Sequence, residues 1–195
     1  VFGDLPTFEQ LENPKNNLAT EIISEDGVVL GKYFFENRSR ANYNELPENL
    51  INAFISTEDV RFRNHSGIDG RALLRAIYGA IIGKSSSGGA STITQQLSKM
   101  LFTDKPSSGL ERVMQKIKEW IISGKLEKSY TKNEILAMYL NRFDWVNNAV
   151  GIKSASQVYF NKTPIELNIS ESAMLVGMLK NPSYYNPNRR IKLTE

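Results

Sequence analysis

Glu58-Asp59-Val60-Arg61-Phe62-Arg63-Asn64-His65-Ser66-Gly67 places two adjacent carboxylates, among basic residues, where a helical pattern stops. Before it, Pro47 stands at a first-turn position and Leu50, Ile51, Phe54 and Ile55 recur on one stripe, which predicts a helix ending near Glu58. Such a place can tune a base. The negative end of a helix dipole and partial burial both favour the protonated form of a carboxylate, which improves its proton affinity near neutral pH. Taken alone, the ten residues read more plainly as a solvated charge cluster. His65 is the sole histidine, so a zinc site built on paired histidines is not expected and a structural hydrogen bond is.

On the carboxyl-terminal side the helical period continues. Leu73, Leu74, Ile77 and Ile81 recur at three-to-four spacing and predict a helix over 70–82. Lys84 to Ala90 breaks it, and Lys84 to Ser87 reads as a linker. Gly88-Gly89-Ala90-Ser91-Thr92-Ile93-Thr94-Gln95-Gln96 then runs into a helix expected from about Ser91, with hydroxyls in its first turn and Lys99 beyond. Free N–H groups at a helix start, with hydroxyls and a cation nearby, can hold a phosphate or diphosphate. No Gly-Lys-Ser/Thr ending is present, so the stretch is not a nucleotide P-loop.

After a small loop over 104–109, Leu110 to about Lys128 reads as an amphipathic helix with Val113, Ile117, Trp120 and Ile121 on its apolar face. Lys116 and Glu119 share a face three residues apart, for which an exposed ion pair is the plain explanation. Thr131 and Glu134 have the spacing of a capping box at the start of the next helix, which continues to Asn141. Further helices are expected over 153–160 and 170–180, and Pro182 and Pro187 end the regular structure. Asn181 to Pro187 is otherwise only a turn-rich helix exit.

On the amino-terminal side, residues 1–18 contain Pro6, Pro14 and no sustained period, and read as an extended linker. Ala19 to Glu25 and Val28 to Phe34 flank Asp26-Gly27, which predicts a β-hairpin with a tight turn. The 195 residues, 41% of them hydrophobic, suffice for one compact, mainly α domain plus a short appendage. Lys and Arg number 24 against 21 Asp and Glu, an excess that favours an anionic partner but does not call for nucleic acid. Cysteine is absent, which removes disulfides and thiolate metal sites. The longest apolar stretch, Ala76 to Ile82, falls far short of the roughly 20 residues needed to span a bilayer. With no signal peptide visible, the sequence is expected to begin as a mature or truncated fragment.

Taken in order, Glu58 to Gly67, Gly89 to Gln96, Lys116 to Glu119, Lys132 to Asn141 and Pro182 to Pro187 resemble the signatures E-D-x-x-F-x-x-H-x-G, G-x-S-T-I-T-Q-Q, R-K-x-x-E, K-x-E-I-L-x-x-Y-L-N and P-x-x-Y-N-P. These belong to the family 51 peptidoglycan glycosyltransferases of class A penicillin-binding proteins. The lead-in, with Leu5-Pro6, Asn13-Pro14 and Asp26-Gly27, is similar to the segment that follows their membrane anchor. Two positions depart from the pattern. Gln115 stands where arginine is usual, which weakens one expected phosphate or structural contact, and Ser156 replaces the second residue of an alanine pair after Gly151.

The resemblance implies a mainly α fold: a lysozyme-like helical head and a smaller membrane-associated jaw lobe, with an N-terminal β-hairpin. Residues 1–45 would be a juxtamembrane linker and hairpin, and 46–195 the glycosyltransferase domain. It implies polymerisation of lipid II into β-1,4-linked glycan with inversion and release of polyprenyl diphosphate. Glu58 would be the general base and Glu119 the second catalytic carboxylate, positioning Lys116 or helping to hold the leaving group, with a divalent Mg or Mn ion as a conceivable aid. Arg75, Ser91, Gln96, Lys99 and Lys116 are then candidates for the diphosphate, and Thr94 and Asn141 for further substrate contacts. Asp59 and Phe62 would shape the site around Glu58. The implied partners are lipid II, the growing lipid-linked glycan, the bacterial membrane surface and phosphoglycolipid inhibitors of the moenomycin type. An N-terminal anchor would hold the domain at the outer face of the cytoplasmic membrane, and a transpeptidase domain is expected in the full-length protein. Met100, Leu101 and Phe102 are candidates for an interfacial apolar patch. A glycan-cleaving muramidase and a non-catalytic cell-wall scaffold are the competing readings. A cleaver has no need of a diphosphate cradle, and a scaffold has no need of Glu58 and Glu119.

Overall fold

A computed structural model describes residues 20–26, 29–33, 40–83, 89–102 and 108–187. The predicted lead-in over 1–18, the Gly27 half of the hairpin turn and most of the loops over 84–90 and 104–109 lie outside these residues. Two short strands, β1 (Thr20–Ile23) and β2 (Val29–Tyr33), pair antiparallel, with an irregularity between Ile22 and Ile23. Seven helices follow among the described residues: α1 (Glu48–Glu58), α2 (Gly70–Ile81), α3 (Ile93–Phe102), α4 (Gly109–Ser129), α5 (Lys132–Arg142), α6 (Ile152–Phe160) and α7 (Ile169–Lys180).

Several helix starts follow from side-chain capping. Ser108 accepts a hydrogen bond from the Glu111 amide at the head of α4, and Thr131 with Glu134 closes the predicted capping box of α5. Asn168 with Glu171 does the same for α7. Helix α3 begins two residues later than expected, because Thr92 rather than Ser91 is the cap. The Thr92 hydroxyl accepts from the Gln95 amide at 3.2 Å, and its carbonyl accepts from the Gln96 amide at 3.0 Å.

Helix α3 packs against both α4 and α5, and α1 packs on α7. Their shared core holds Leu50 and Phe54 of α1, Leu97 of α3, Leu126 of α4, Leu136 of α5 and Leu175 of α7. Trp145, on the link from α5 to α6, is fully buried and donates its indole N–H to the Leu175 carbonyl at 3.1 Å. That bond satisfies the one polar atom the ring carries into the core. Ser156, in place of the usual alanine, is buried yet satisfied, since its hydroxyl donates to the Ile152 carbonyl one turn back at 2.8 Å.

Two apolar stripes form helices but do not face the core. On α2, Leu74, Ile77 and Ile81 are exposed, as is Tyr78. On α4 the buried residues are Glu119, Ile122, Ser123 and Leu126, whereas Val113 and Ile121 are exposed. The inward face of α4 is thus partly polar. It is tolerated because the Ser123 and Ser98 hydroxyls both donate to the Glu119 carbonyl, at 2.6 and 3.2 Å. Among the described residues no helix is long and apolar enough to cross a membrane.

Gly151 opens α6 at φ +84° and ψ 155°, a region essentially closed to side-chain-bearing residues. A Cβ there would lie 2.9 Å from the Asn141 carbonyl oxygen, so both conformation and space demand glycine. Gly151→Ala is therefore expected to lose about 2 kcal/mol or more of stability in urea unfolding. An unchanged midpoint would contradict the close approach of α6 to the end of α5.

Candidate active site

Glu58 and Asp59 are adjacent in sequence and point to different places. Glu58 is the last residue of α1, half-buried, and its Oε2 accepts from the Gln96 side-chain amide at 2.9 Å. Asp59 is buried. Its carboxylate accepts from His65 Nε2 at 2.9 and 3.1 Å and from the Ile93 backbone amide at 3.2 Å. It thus ties the turn after α1 to the head of α3. The sole histidine makes the structural hydrogen bond that its isolation suggested.

Glu58 opens onto a cleft of about 1460 Å³ that also takes lining from Ser91, Gln96, Lys99, Lys116 and Glu119. One wall is the amino-terminal half of α4. There Glu119, 5% exposed, accepts from Lys116 Nζ at 2.9 Å through Oε2 and from the Gln115 amide at 3.0 Å through Oε1. Lys116 Nζ also donates to the Ser91 hydroxyl at 2.9 Å. A buried carboxylate needs such compensation, since leaving water costs several kcal/mol per ion. Gln115 consequently supports Glu119 as a neutral donor. Lys99 lines the cleft from α3 and is exposed to solvent.

Six of the residues singled out from sequence therefore share one cleft, and five others do not line it. Phe62 lies wholly inside the core, with Lys132 Nζ 4.2 Å above its ring. Thr94 is buried and donates to Glu127 at 2.5 Å. Asn141 is spent on the backbone of Ala41, accepting its N–H and donating to its carbonyl, both at 2.8 Å. Asp59 has the bracing role described above, and Arg75 is exposed on α2. The head of α3 is also less open to an anion than its glycine-rich approach suggested, because its Ile93 and Gln95 amides already donate to Asp59 and Thr92.

Among the cleft residues that the reading of sequence did not single out are Arg112, Lys180 and Tyr139. Arg112 stands four residues before Lys116 and seven before Glu119, so helical spacing could have placed it on the same face. Lys180 arrives from the end of α7, and nothing local to it announces the meeting. Tyr139, on α5, is 2% exposed and donates its hydroxyl to Gln96 Oε1 at 2.8 Å. Burial, reinforced by the charge of Glu58, pushes its phenol well above the usual range.

Apart from the cleft, Asp59, His65 and Asp69 lie close enough to suggest a metal site. Both carboxylates are already engaged: Asp59 by His65 Nε2 and the Ile93 amide, and Asp69 by Arg61 at 2.7 Å and by the Arg71 and Ala72 amides.

Lys116→Met would leave the buried Glu119 carboxylate with Gln115 as its remaining side-chain donor. The variant is expected to lose about 2 kcal/mol in chemical denaturation. Parental stability would show that Glu119 does not depend on the lysine.

Comparison with known proteins identifies the family. A family model described as Transglycosylase matches residues 26–195. Penicillin-binding protein 1A of Neisseria lactamica is 37% identical over 187 residues, which are 96% of this chain and 23% of that protein. The Neisseria gonorrhoeae protein of the same name is 38% identical over the same extent. Penicillin-binding protein 1F of Bacillus subtilis is 39% identical over 169 residues, 87% of this chain and 23% of that one. The chain thus spans about a quarter of the length of these relatives. Cleft, helical order and family match converge: this chain belongs to the transglycosylase family.

Proposed function

We propose that this domain is a peptidoglycan glycosyltransferase, which polymerises lipid II into β-1,4-linked glycan strands and releases polyprenyl diphosphate. The observation that carries this reading is a single cleft with the carboxylate of Glu58 at one place and the cations Lys99, Arg112 and Lys116 along its lining. A hydroxyl can be activated beside the first while a diphosphate departs beside the others.

Glu58 takes the proton from the 4-hydroxyl of the acceptor N-acetylglucosamine. The oxygen attacks the anomeric carbon of the donor N-acetylmuramic acid from the face opposite the diphosphate. As the new C–O bond forms, the bond from that carbon to the diphosphate oxygen breaks, and the electron pair leaves with the diphosphate. The α linkage becomes β. Negative charge grows on the leaving group, and preorganised cations stabilise it more in the transition state than in the ground state. Lys116 is held for this by Glu119 and Ser91, each at 2.9 Å. Glu119 therefore acts as the anchor of Lys116. A divalent cation is less suited to this donor set, because the Lys116 ammonium already sits on Glu119 Oε2 and would repel a metal bound beside it. The departing charge is assigned to the side-chain cations.

The lipid tail of the substrate keeps the reaction at a bilayer, and an apolar surface is available to meet it. Leu74, Tyr78 and Ile81 on α2 are 69%, 67% and 78% exposed, and Leu110 at the start of α4 is 82% exposed. Surfaces of this kind dock at interfaces. Met100, Leu101 and Phe102 do not form that patch, because they are half-buried against the core. We place the domain at the outer face of the cytoplasmic membrane. A phosphoglycolipid of the moenomycin type would compete for the cleft. The relatives' name and length support a full-length protein with a further, penicillin-binding transpeptidase domain.

The muramidase reading is less well supported, since hydrolysis of glycan gives no use for the cationic lining. Glu58→Gln is expected to lower polymer formation from labelled lipid II by about a hundredfold or more, with the fold intact by circular dichroism. Polymerisation at the parental rate would remove Glu58 from the mechanism. Separately, Leu74→Glu/Ile81→Glu is expected to weaken sedimentation with anionic liposomes several-fold. Undiminished sedimentation would move the membrane contact elsewhere.

A further inference from the structure

Gln96 spends both ends of its side-chain amide inside the protein. Its Nε2 donates to Glu58 Oε2 at 2.9 Å, and its Oε1 accepts from the Tyr139 hydroxyl at 2.8 Å. Three helices meet in this chain of bonds: α1 through Glu58, α3 through Gln96 and α5 through Tyr139. The direction of the bonds is set by donor count. Reversing the amide would bring Oε1 against the carboxylate, acceptor facing acceptor. It would also withdraw the acceptor into which Tyr139 donates. The Tyr139 ring cannot easily swing away, since its centroid lies 4.7 Å from that of Phe54 and it stacks on Phe143. Burial also keeps the phenol in its donating, protonated form.

We propose that Tyr139 is a positioning residue for the general base. It fixes the Gln96 amide with its NH2 group toward Glu58, and Gln96 in turn holds Glu58 Oε2. The other oxygen, Oε1, accepts no hydrogen bond from the described residues and is the one presented to the acceptor hydroxyl. Gln96, expected from sequence to hold the leaving group, works instead on the base. This inference rests on the assignment of Glu58 as the base.

Tyr139→Phe tests it cleanly, because the ring and its aromatic packing remain and only the hydroxyl is lost. With lipid II as substrate, kcat is expected to fall about five- to tenfold while KM stays within about twofold, because the hydroxyl is committed to Gln96 Oε1 in a side chain that is 2% exposed. Gln96→Leu should lower kcat at least as far, and Tyr139→Phe/Gln96→Leu should be no slower than Gln96→Leu alone, because the two residues act in series. A second readout needs no turnover. The Gln96 side-chain NH2 pair in a 15N–1H spectrum, assigned by its loss in Gln96→Leu, should shift in both Tyr139→Phe and Glu58→Gln. Parental kcat in Tyr139→Phe, additive losses in the double variant, or an unmoved amide pair would each overturn the relay. A parental domain that made no polymer would instead refute the proposed reaction, and the amide spectrum would still decide whether the relay exists.

Discussion

The buried carboxylate of Asp59 is the joint on which the cleft depends. It sits one residue past the end of α1 and accepts from His65, which closes the following turn, and from the Ile93 amide, which opens α3. By fixing α3 relative to α1 it brings Gln96 to Glu58 and sets Lys99 facing the same space. A buried charge is stable only with such donors, so its partners are constrained in turn. The surrounding polar network is continuous. Lys132 donates to the His65 carbonyl at 2.6 Å and to Glu127 at 2.8 Å, and Glu127 also accepts from Thr94. Several residues that resemble a substrate-binding set in sequence thus belong to the framework around the cleft.

The division of labour between the two glutamates follows from their surroundings. Glu58 is half-buried at a helix end with one oxygen held by a neutral amide, which suits a group that must accept a proton. Glu119 is almost fully buried and compensated by an ammonium and an amide, which suits a group that holds a cation in place. On the proposed reading, two carboxylates in one cleft differ in role because one is left to meet substrate and the other meets lysine. Gln115 keeps the hydrogen bond to Glu119 without adding a charge.

Much of this was legible in the sequence, and the failures have physical reasons. Helices α1, α5, α6 and α7 were readable from local signals, such as Pro47 just before α1, the capping box of Thr131 and Glu134 before α5, and the prolines beyond α7. The orientation of α4 was not, because apolar residues surround that helix and its inward face carries Glu119 and Ser123. Periodicity finds a stripe but cannot say what covers it, and the α2 stripe of Leu74, Ile77 and Ile81, which predicted the helix, is exposed. Glu58, Lys116 and Glu119 were legible from the order of motifs. The internal uses of Asn141 and Thr94 were not, since their partners Ala41 and Glu127 lie 100 and 33 residues away.

The central claim is that one cleft activates a sugar hydroxyl and releases a lipid diphosphate. Its most direct test is to incubate the domain with labelled lipid-linked disaccharide-peptide, with and without a moenomycin-type phosphoglycolipid, and to size the products. A ladder of glycan polymer, with free polyprenyl diphosphate, is expected, and the inhibitor should abolish it. Shortening of purified glycan strands without any lipid donor, and no ladder from the lipid-linked substrate, would contradict the claim.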